Sequence, residues 1–249
     1  MKLTVITVSY NSEKTIRDSI ESVLSQTGCD IEYIIVDGQS TDGTCNIIRS
    51  YKDRITKFIS EGDGGIYDAM NKGLNHAHGD VIGFLNSDDV YADSDVLAKV
   101  TNAFKESDCE AVYGDLVYVE QNNPLKIVRK WKSRPYKRQL FQSGWMPPHP
   151  TFYVRREVYE RYGLFNTSLK NAADYEIMLR FLYKEQIRAT YIPEVLVRMR
   201  VGGMSNANFL NRIKANKEDR QAWRINNLKP GFFTLWLKPI RKIPQFLFR

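Results

Sequence analysis

Two acidic positions in this chain have the residue types and the setting to do chemistry. The first is Asn86-Ser87-Asp88-Asp89, which follows directly on the apolar run Val81-Ile82-Gly83-Phe84-Leu85. Apolar runs of this length, bounded by turn residues, read as strands buried on both faces. Ligands of open α/β sheets meet the carboxyl ends of the strands, so Asp88 and Asp89 stand where a metal or a phosphorylated ligand is met. Continued strand alternation puts Asn86 and Asp88 on one face and Ser87 and Asp89 on the other. Hard divalent cations such as Mg²⁺ take one or two carboxylates and fill the rest of their shell with water and phosphate oxygens, so Asp88 with Asn86 forms one candidate cation site. A solvated turn accounts for the same residues. The second position is Asp174, which opens a helix after Asn171-Ala172-Ala173. The helix dipole favours the ionised carboxylate there, and a cleft-facing aspartate can act as general base; a capping role is the structural alternative.

Weaker signals surround these two. Asp37 ends a second apolar strand beside Ser9-Tyr10-Asn11 and can accept hydrogen bonds from a ribose or a base, or simply begin a turn before Gly38. Asp42, in Ser40-Thr41-Asp42-Gly43-Thr44, reads as a helix N-cap. Gly62 to Gly65 can bring backbone amides to a diphosphate, with Asp63 bonding sugar or base. His149 lies between two prolines, outside any helix, in reach of an acceptor cleft. Arg198, Arg200 and Ser205 flank Gly202-Gly203, either as a phosphate clamp or as surface ion pairs. No Gly-x-Gly-x-x-Gly follows the first strand and no P-loop occurs, which weakens dehydrogenase and NTPase readings.

The elements that must hold these residues alternate. Lys2 to Val8 is a strand, with Ser12 as N-cap of a helix from about Glu13 to Gln26. Ile31 to Val36 and Thr56 to Ser60 are strands, separated by a short helix with Ile47 and Ile48. A helix from Ile66 to His78 leads into the strand before Asn86, and a helix near Asp93 to Glu106 leads into a strand from Glu110 to Val119. Strand and helix in this order imply a parallel sheet wound by right-handed crossovers. Beyond Val119 the pattern changes: a strand over Ile127 to Trp131, a proline-rich loop, a strand over Thr151 to Val154, a helix over Arg155 to Arg161, a helix over Asp174 to Lys184, a strand over Val195 to Val201 and a polar helix over Asn208 to Asn226.

At 249 residues, with 43% hydrophobic and 26% charged side chains, the composition is that of a soluble globular chain. Cys29, Cys45 and Cys109 are odd in number and lack metal-ligand spacing, which suits a reducing cytoplasm. The net charge of +7 is uneven: Asn206 to Arg249 holds ten Lys/Arg against Glu218 and Asp219, a sum of +8 that leaves about −1 for the rest. A basic tail on a near-neutral body points to an anionic membrane surface and away from nucleic acid.

Seven segments together carry a family resemblance: Thr7 to Asn11 (TVSYN), Val36 to Thr44 (VDGQSTDGT), Ser60 to Gly73 (SEGDGGIYDAMNKG), Gly79 to Asp89 (GDVIGFLNSDD), Pro148 to Arg156 (PHPTFYVRR), Ala172 to Arg180 (AADYEIMLR) and Arg198 to Ser205 (RMRVGGMS). In this order they resemble the inverting family 2 glycosyltransferases of GT-A fold, particularly bacterial enzymes of surface-polysaccharide assembly. The resemblance implies that Thr7, Tyr10 and Asp37 hold the nucleotide, that Asp63 and Asn71 line the donor site, that Asp88 is the metal-binding member of the Asp-x-Asp motif and that Asp174 is the catalytic base. Asn11, Ser40, Asn86, Ser87, His149, Arg200 and Ser205 complete the candidate substrate-binding set, and Asp89 joins Asp88 as a candidate ligand of Mg²⁺ or Mn²⁺. Asn86 departs from the pattern, because a neutral amide stands where the motif usually has its first aspartate.

The expectation is therefore an α/β GT-A domain over residues 1–205, with a nucleotide-sugar half (1–119) and an acceptor half (120–205), and a basic amphipathic tail over 206–249. Its reaction moves a sugar from a nucleotide-diphosphate sugar to a hydroxyl of a lipid-linked glycan, in capsule, O-antigen or exopolysaccharide synthesis. The tail's Phe232, Phe233, Trp236, Leu237, Phe246 and Phe248 among Lys and Arg suit the interface of the inner membrane's cytoplasmic face. A sugar-phosphate nucleotidylyltransferase and a non-enzymatic carbohydrate- or nucleic-acid-binding module are the alternatives.

Overall fold

The computed structural model describes residues 1–202, 209–231 and 234, with side chains of the last helix from residue 217 onward. Ser205 and the aromatic residues of the tail named above lie outside the described residues. The chain opens with β1 (Lys2–Ser9), α1 (Ile16–Leu24), β2 (Asp30–Asp37), α2 (Thr44–Arg49), β3 (Lys57–Ser60), α3 (Ile66–Leu74) and β4 (Val81–Phe84). It continues through β5 (Val90–Tyr91), α4 (Val96–Glu106), β6 (Ala111–Glu120), β7 (Asn123–Trp131), α5 (Gln139–Gln142), a 3-10 turn at His149–Thr151, β8 (Tyr153–Arg155) and α6 (Arg156–Tyr162). The remaining elements are α7 (Ala173–Met178), running into a π-helical turn at Leu179–Lys184, then β9 (Ala189–Arg200) and α8 (Phe209–Ile225).

All strands join one sheet in the order β3-β2-β1-β4-β8-β6-β9-β5, with β7 paired to β6 alone. β1–β2, β1–β4, β2–β3 and β6–β9 are parallel; β6–β7 and β5–β9 are antiparallel, and β8 enters antiparallel between β4 and β6. Two apolar layers result. Ile16, Ile20 and Val23 of α1, at helical spacing, pack with α4 against Leu3, Val5, Tyr33 and Ile35. On the opposite face α3, α6, α7 and the end of α8 cover Ile6, Val8, Ile34, Ile82 and Phe84. Gly83 is fixed by this packing: a Cβ there would stand 2.3 Å from the Tyr153 ring that crosses β4.

Several expectations on local structure are revised. β4 stops at Phe84, and residues 86–89 form a turn closed by the Asp89 amide donating to the Asn86 carbonyl at 3.1 Å. Alternation therefore does not govern that turn. Ser12 does not cap α1; its carbonyl accepts from Thr15 and Ile16, and its hydroxyl meets Ser87 Oγ at 2.7 Å. Gly43, not Asp42, is the N-cap of α2; Asp42 stands one residue earlier, and its side chain accepts from the Thr44 amide at 3.0 Å. β9 begins at Ala189, running through Pro193 where its register with β6 shifts. The two-residue β5 and the single-turn α5 are too short to leave a periodic trace.

The described part of α8 is packed on α7 and the segment just before it. Trp223 is fully buried and donates to Tyr175 Oη at 2.9 Å, Asn226 Nδ2 donates to Glu176 Oε1 at 2.9 Å, and Glu218 accepts from both the amide and the side chain of Asn171.

Candidate active site

At the carboxyl edge of the sheet, Ser9, Asp37 and Ser60 stand in one row, because the parallel registers pair Ser9 with Asp37 and Asp37 with Ser60. Asp37 is fully buried and accepts from Ser9 Oγ, Ser40 Oγ, the Ser40 amide, Cys45 Sγ and Ser60 Oγ. Burial alone would push its carboxyl up, but the Ser40 hydroxyl and amide, with Cys45 and Ser60, hold it below the usual carboxylate range. With both oxygens so occupied, Asp37 organises the loops and offers no free acceptor to a nucleotide. Ser40 passes the tie on by accepting from the Asn11 amide at 2.8 Å, and Asn11, at φ 48°, accepts from the Thr41 amide at 2.9 Å. Thr7 lies inside the sheet, fully buried, with Oγ1 3.1 Å from Tyr33 Oη, so it faces the core instead of the cleft.

What these loops present outward is Tyr10, 63% exposed, with Gly38 and Asp63 beside it. A Cβ on Gly38 would lie 2.4 Å from Asp63 Oδ2 and 3.5 Å from the Tyr10 ring, so the missing side chain is what lets acid and aromatic face approach. The Asp63 loop is itself held: Asp63 accepts from the Gly65 amide, Lys72 donates to the Gly62 carbonyl, and Lys170 donates to the Gly64 carbonyl.

The acidic turn divides its residues sharply. Asp89 is fully buried and accepts from Asn86 Nδ2 at 3.2 Å and from the Arg200 amide at 3.3 Å. Burial, then the neighbouring Asp88 charge, push its carboxyl well above the usual range. It shapes the turn and is turned away from ligands, which removes it from the metal set. Arg200 is spent in the same way: its guanidinium donates to Asp18 Oδ2, the Asp88 carbonyl and the Gln121 carbonyl, and it is 4% exposed, so it braces the turn and is no phosphate clamp. Ser87 is buried against Ser12. Asp88 is half-buried, its carboxyl raised by burial.

Asn86 Oδ1 is a buried acceptor with no donor among the described residues, its orientation set by the bond from Nδ2 to Asp89. An unpaired amide oxygen two residues from a half-buried carboxylate is a hard-oxygen pair suited to Mg²⁺ or Mn²⁺. Among the described residues no group of three or more His, Cys, Asp and Glu side chains could hold a metal, so phosphate oxygens and water would have to complete its shell.

Asp174 stands in the first turn of α7, half-buried. Its Oδ1 accepts from Tyr67 Oη at 3.1 Å and from the Tyr175 amide at 2.8 Å, while no donor among the described residues reaches Oδ2. Burial, then the Asp174 charge, push the Tyr67 phenol far up, so it stays a donor. Tyr67 stacks on Phe165 at 5.7 Å, and Phe165 meets the rings of Phe84 and His149 at 5.4 and 5.9 Å. His149 stacks on Phe84 at 6.0 Å; burial lowers its pKa while Asp174 opposes the shift, so it is a neutral wall residue. Phe84 ends the strand that leads to Asn86. Through Phe165 and Tyr67 that strand end is linked ring by ring to Asp174, so the acidic turn and the start of α7 border one region; nearby, burial raises the Tyr118 phenol, with Arg129 opposing the shift and the Asp89 and Asp174 charges adding to it. Asn71 is consumed in a double hydrogen bond to the Phe165 backbone, amide and carbonyl both at 2.9 Å, and holds the wall without lining the opening.

Tyr67, Phe84, Phe165 and Tyr118 escaped the sequence reading. Tyr67 stands one residue after Ile66 in a matched segment, where it reads as an ordinary helix residue, and only the fold brings it to an acid 107 positions away.

The pattern of glycosyl transferase family 2 matches residues 4–163. A PGL/p-HBAD biosynthesis glycosyltransferase of Mycobacterium tuberculosis is 28% identical over 218 residues, covering 84% of this chain and 82% of that protein. An uncharacterized glycosyltransferase of Rickettsia typhi is 29% identical over 213 residues, 83% of this chain, which spans 66% of that relative's length. Among solved structures, S. aureus TarS 1-349 in complex with UDP-GlcNAc superposes with a TM-score of 0.70 at 20% identity, covering 91% of this chain and 65% of that one. The mannosyltransferase PcManGT from Pyrobaculum calidifontis, in complex with GDP-Man and Mn²⁺, superposes at 0.67 and 20% identity, covering 95% and 72%. These likenesses identify the mixed sheet as GT-A. The family pattern runs without a break from β1 to the end of α6, through Asp37, Asp63 and the acidic turn, and on that span, more than half of its length, the chain belongs to glycosyl transferase family 2.

Proposed function

We propose that this protein transfers a sugar from a nucleoside-diphosphate sugar to a hydroxyl of a lipid-linked glycan acceptor, with inversion, at the cytoplasmic face of an anionic membrane. The observation that carries the reading is the state of Asp174: one carboxylate oxygen is pinned by Tyr67 and the Tyr175 amide, and no donor among the described residues reaches the other. A carboxylate so arranged, beside an aromatic wall, is ready to accept the proton of an attacking hydroxyl. The neighbouring acidic turn supports a donor site there. Asp88 and Asn86 Oδ1 would hold a divalent cation, which supplies charge neutralisation of the leaving diphosphate when bound. Tyr10 offers a stacking face and Asp63 a hydrogen-bond acceptor for the base or ribose. The solved relatives in complex with UDP-GlcNAc and with GDP-Man and Mn²⁺ favour donors of this class. Among the described residues no helix is long and apolar enough to cross a membrane, and the attachment proposed is peripheral.

In the reaction, the Asp174 oxygen left open takes the proton as the acceptor oxygen attacks the anomeric carbon from the face opposite the diphosphate, in one displacement. Tyr67 keeps the carboxylate from rotating. Tyr67→Phe is expected to lower kcat about tenfold, in line with about 1.5 kcal/mol for a hydrogen bond to a charged group, without changing the donor KM. In an Asp174→Asn background the same change is expected to do nothing further, and a full additional loss there would separate Tyr67 from Asp174. Gly38→Ala displaces the exposed Asp63 carboxylate from Tyr10. Donor KM is expected to rise about fivefold, a loss of about 1 kcal/mol, with an unchanged melting temperature; an unaltered KM would remove the Tyr10–Asp63 pair from the donor site.

A panel of UDP-, GDP- and dTDP-sugars tests the whole reading, by donor hydrolysis first and then by mass spectrometry with a lipid-diphosphate glycan acceptor. Hydrolysis of one donor class and a mass gain of one sugar are expected. Inertness toward every donor, with divalent cation present, would overturn it.

A further inference from the structure

The uneven charge of this protein has a second concentration, inside the folded body. Residues 124–138 contain Lys126, Arg129, Lys130, Lys132, Arg134, Lys137 and Arg138 and no acidic residue. They run along β7 and the segment after it, and among the described strands β7 pairs with β6 alone. Six of the seven cations are exposed; Arg129 is half-buried, stacked on Tyr118 at 3.9 Å. Lys126 pairs with Glu120, and among the described residues no acid pairs with Lys130, Lys132, Arg134, Lys137 or Arg138.

The same hairpin exposes apolar side chains. Leu125 is 77% exposed and Ile127 38%, and Val201, 36% exposed, sits alongside because its amide bonds the Val119 carbonyl opposite Ile127. Isolated exposed apolar residues mean little. Leu125 and Ile127 near the tip of the hairpin, with Val201 beside it and the exposed Lys130 and Lys132 farther along the segment, match a lipid interface, where apolar groups enter the acyl boundary and cations meet anionic headgroups. A nucleic-acid surface would put cations there without the aliphatic tip.

We propose that the β6–β7 hairpin and the segment following it form a docking surface for an anionic membrane, separate from the C-terminal tail. In β6, Val119 pairs with Arg200, whose amide donates to Asp89 and whose guanidinium donates to the Asp88 carbonyl, so a membrane seated on this hairpin adjoins the acidic turn. This rests on the membrane reading above and adds to it the surface and the orientation.

The test is co-sedimentation of the full chain with vesicles of phosphatidylglycerol and phosphatidylcholine in equal parts, against phosphatidylcholine alone. The wild type is expected to bind the anionic vesicles and to be released by salt. Lys130→Glu with Lys132→Glu is expected to weaken binding at least about 25-fold, about fivefold for each lysine taken from the surface. Lys130→Gln with Lys132→Gln, a gentler pair for the strand, should show a smaller loss in the same direction. Retained donor hydrolysis and melting temperature report intact folding. Wild-type affinity in both lysine pairs would overturn the hairpin and leave attachment to the tail. A wild type that ignores anionic vesicles overturns the membrane reading with it, as does one that binds a single-stranded RNA oligonucleotide and no vesicle.

Discussion

Asp174→Asn is expected to abolish sugar transfer while donor binding survives. The substitution keeps the shape of the side chain, and its amide oxygen can still accept from the Tyr67 hydroxyl and the Tyr175 amide that now hold Oδ1. What it removes is the basic oxygen. General-base assistance is typically worth about 10² to 10⁴ in rate, and loss of that whole factor is the expected outcome. The donor-side contacts proposed for Tyr10, Asp63 and Asp88 belong to other elements, so calorimetric affinity for the donor should stay within about twofold, under about 0.4 kcal/mol. Normal turnover by this variant would take Asp174 out of the reaction, and joint loss of transfer and donor binding would make it a structural acid.

The second large effect is expected at Asp88. It is the only carboxylate of the turn left with oxygens to offer, since Asp89 is fully buried and hydrogen-bonded. Asp88→Ala leaves a cation with the Asn86 amide oxygen as its one protein ligand. Outer-shell changes alone cost about 10- to 100-fold in metal affinity, so removal of the charged ligand should raise the Mn²⁺ concentration needed for donor binding by at least about 100-fold. Titrating Mn²⁺ against donor binding in both proteins gives the answer directly. A superimposable titration would move the cation, if one binds, to other residues.

The parts legible in the sequence are those with strong local periodicity. The parallel strands and α1, α3 and α4 announce themselves because buried strands read as apolar runs and surface helices as stripes. Chemistry-bearing residues were legible as types but not as uses. Asp37 stands at its strand end as expected, yet its five donors come from Ser9, Ser40, Cys45 and Ser60, and only the strand registers reveal that it is filled. Thr7 precedes the exposed Tyr10 by three residues but points into a layer covered on both faces. Arg200 finds Asp18, 182 residues away, and adjacent Asp88 and Asp89 differ because the turn, not strand alternation, decides which one is buried. Pairings of this range leave no spacing to read.

The helix α8 has a mechanical consequence. Its Glu218 grips Asn171 just before Asp174, and its Trp223 and Asn226 grip Tyr175 and Glu176 just after it. Tension applied to the chain beyond Asn227 meets first the bonds of Lys229, Gly231 and Thr234 to Gln142, and behind them the bonds on either side of Asp174. Anchoring this protein beyond those bonds, to a bead or to a bilayer, would pull next on the frame of the proposed general base.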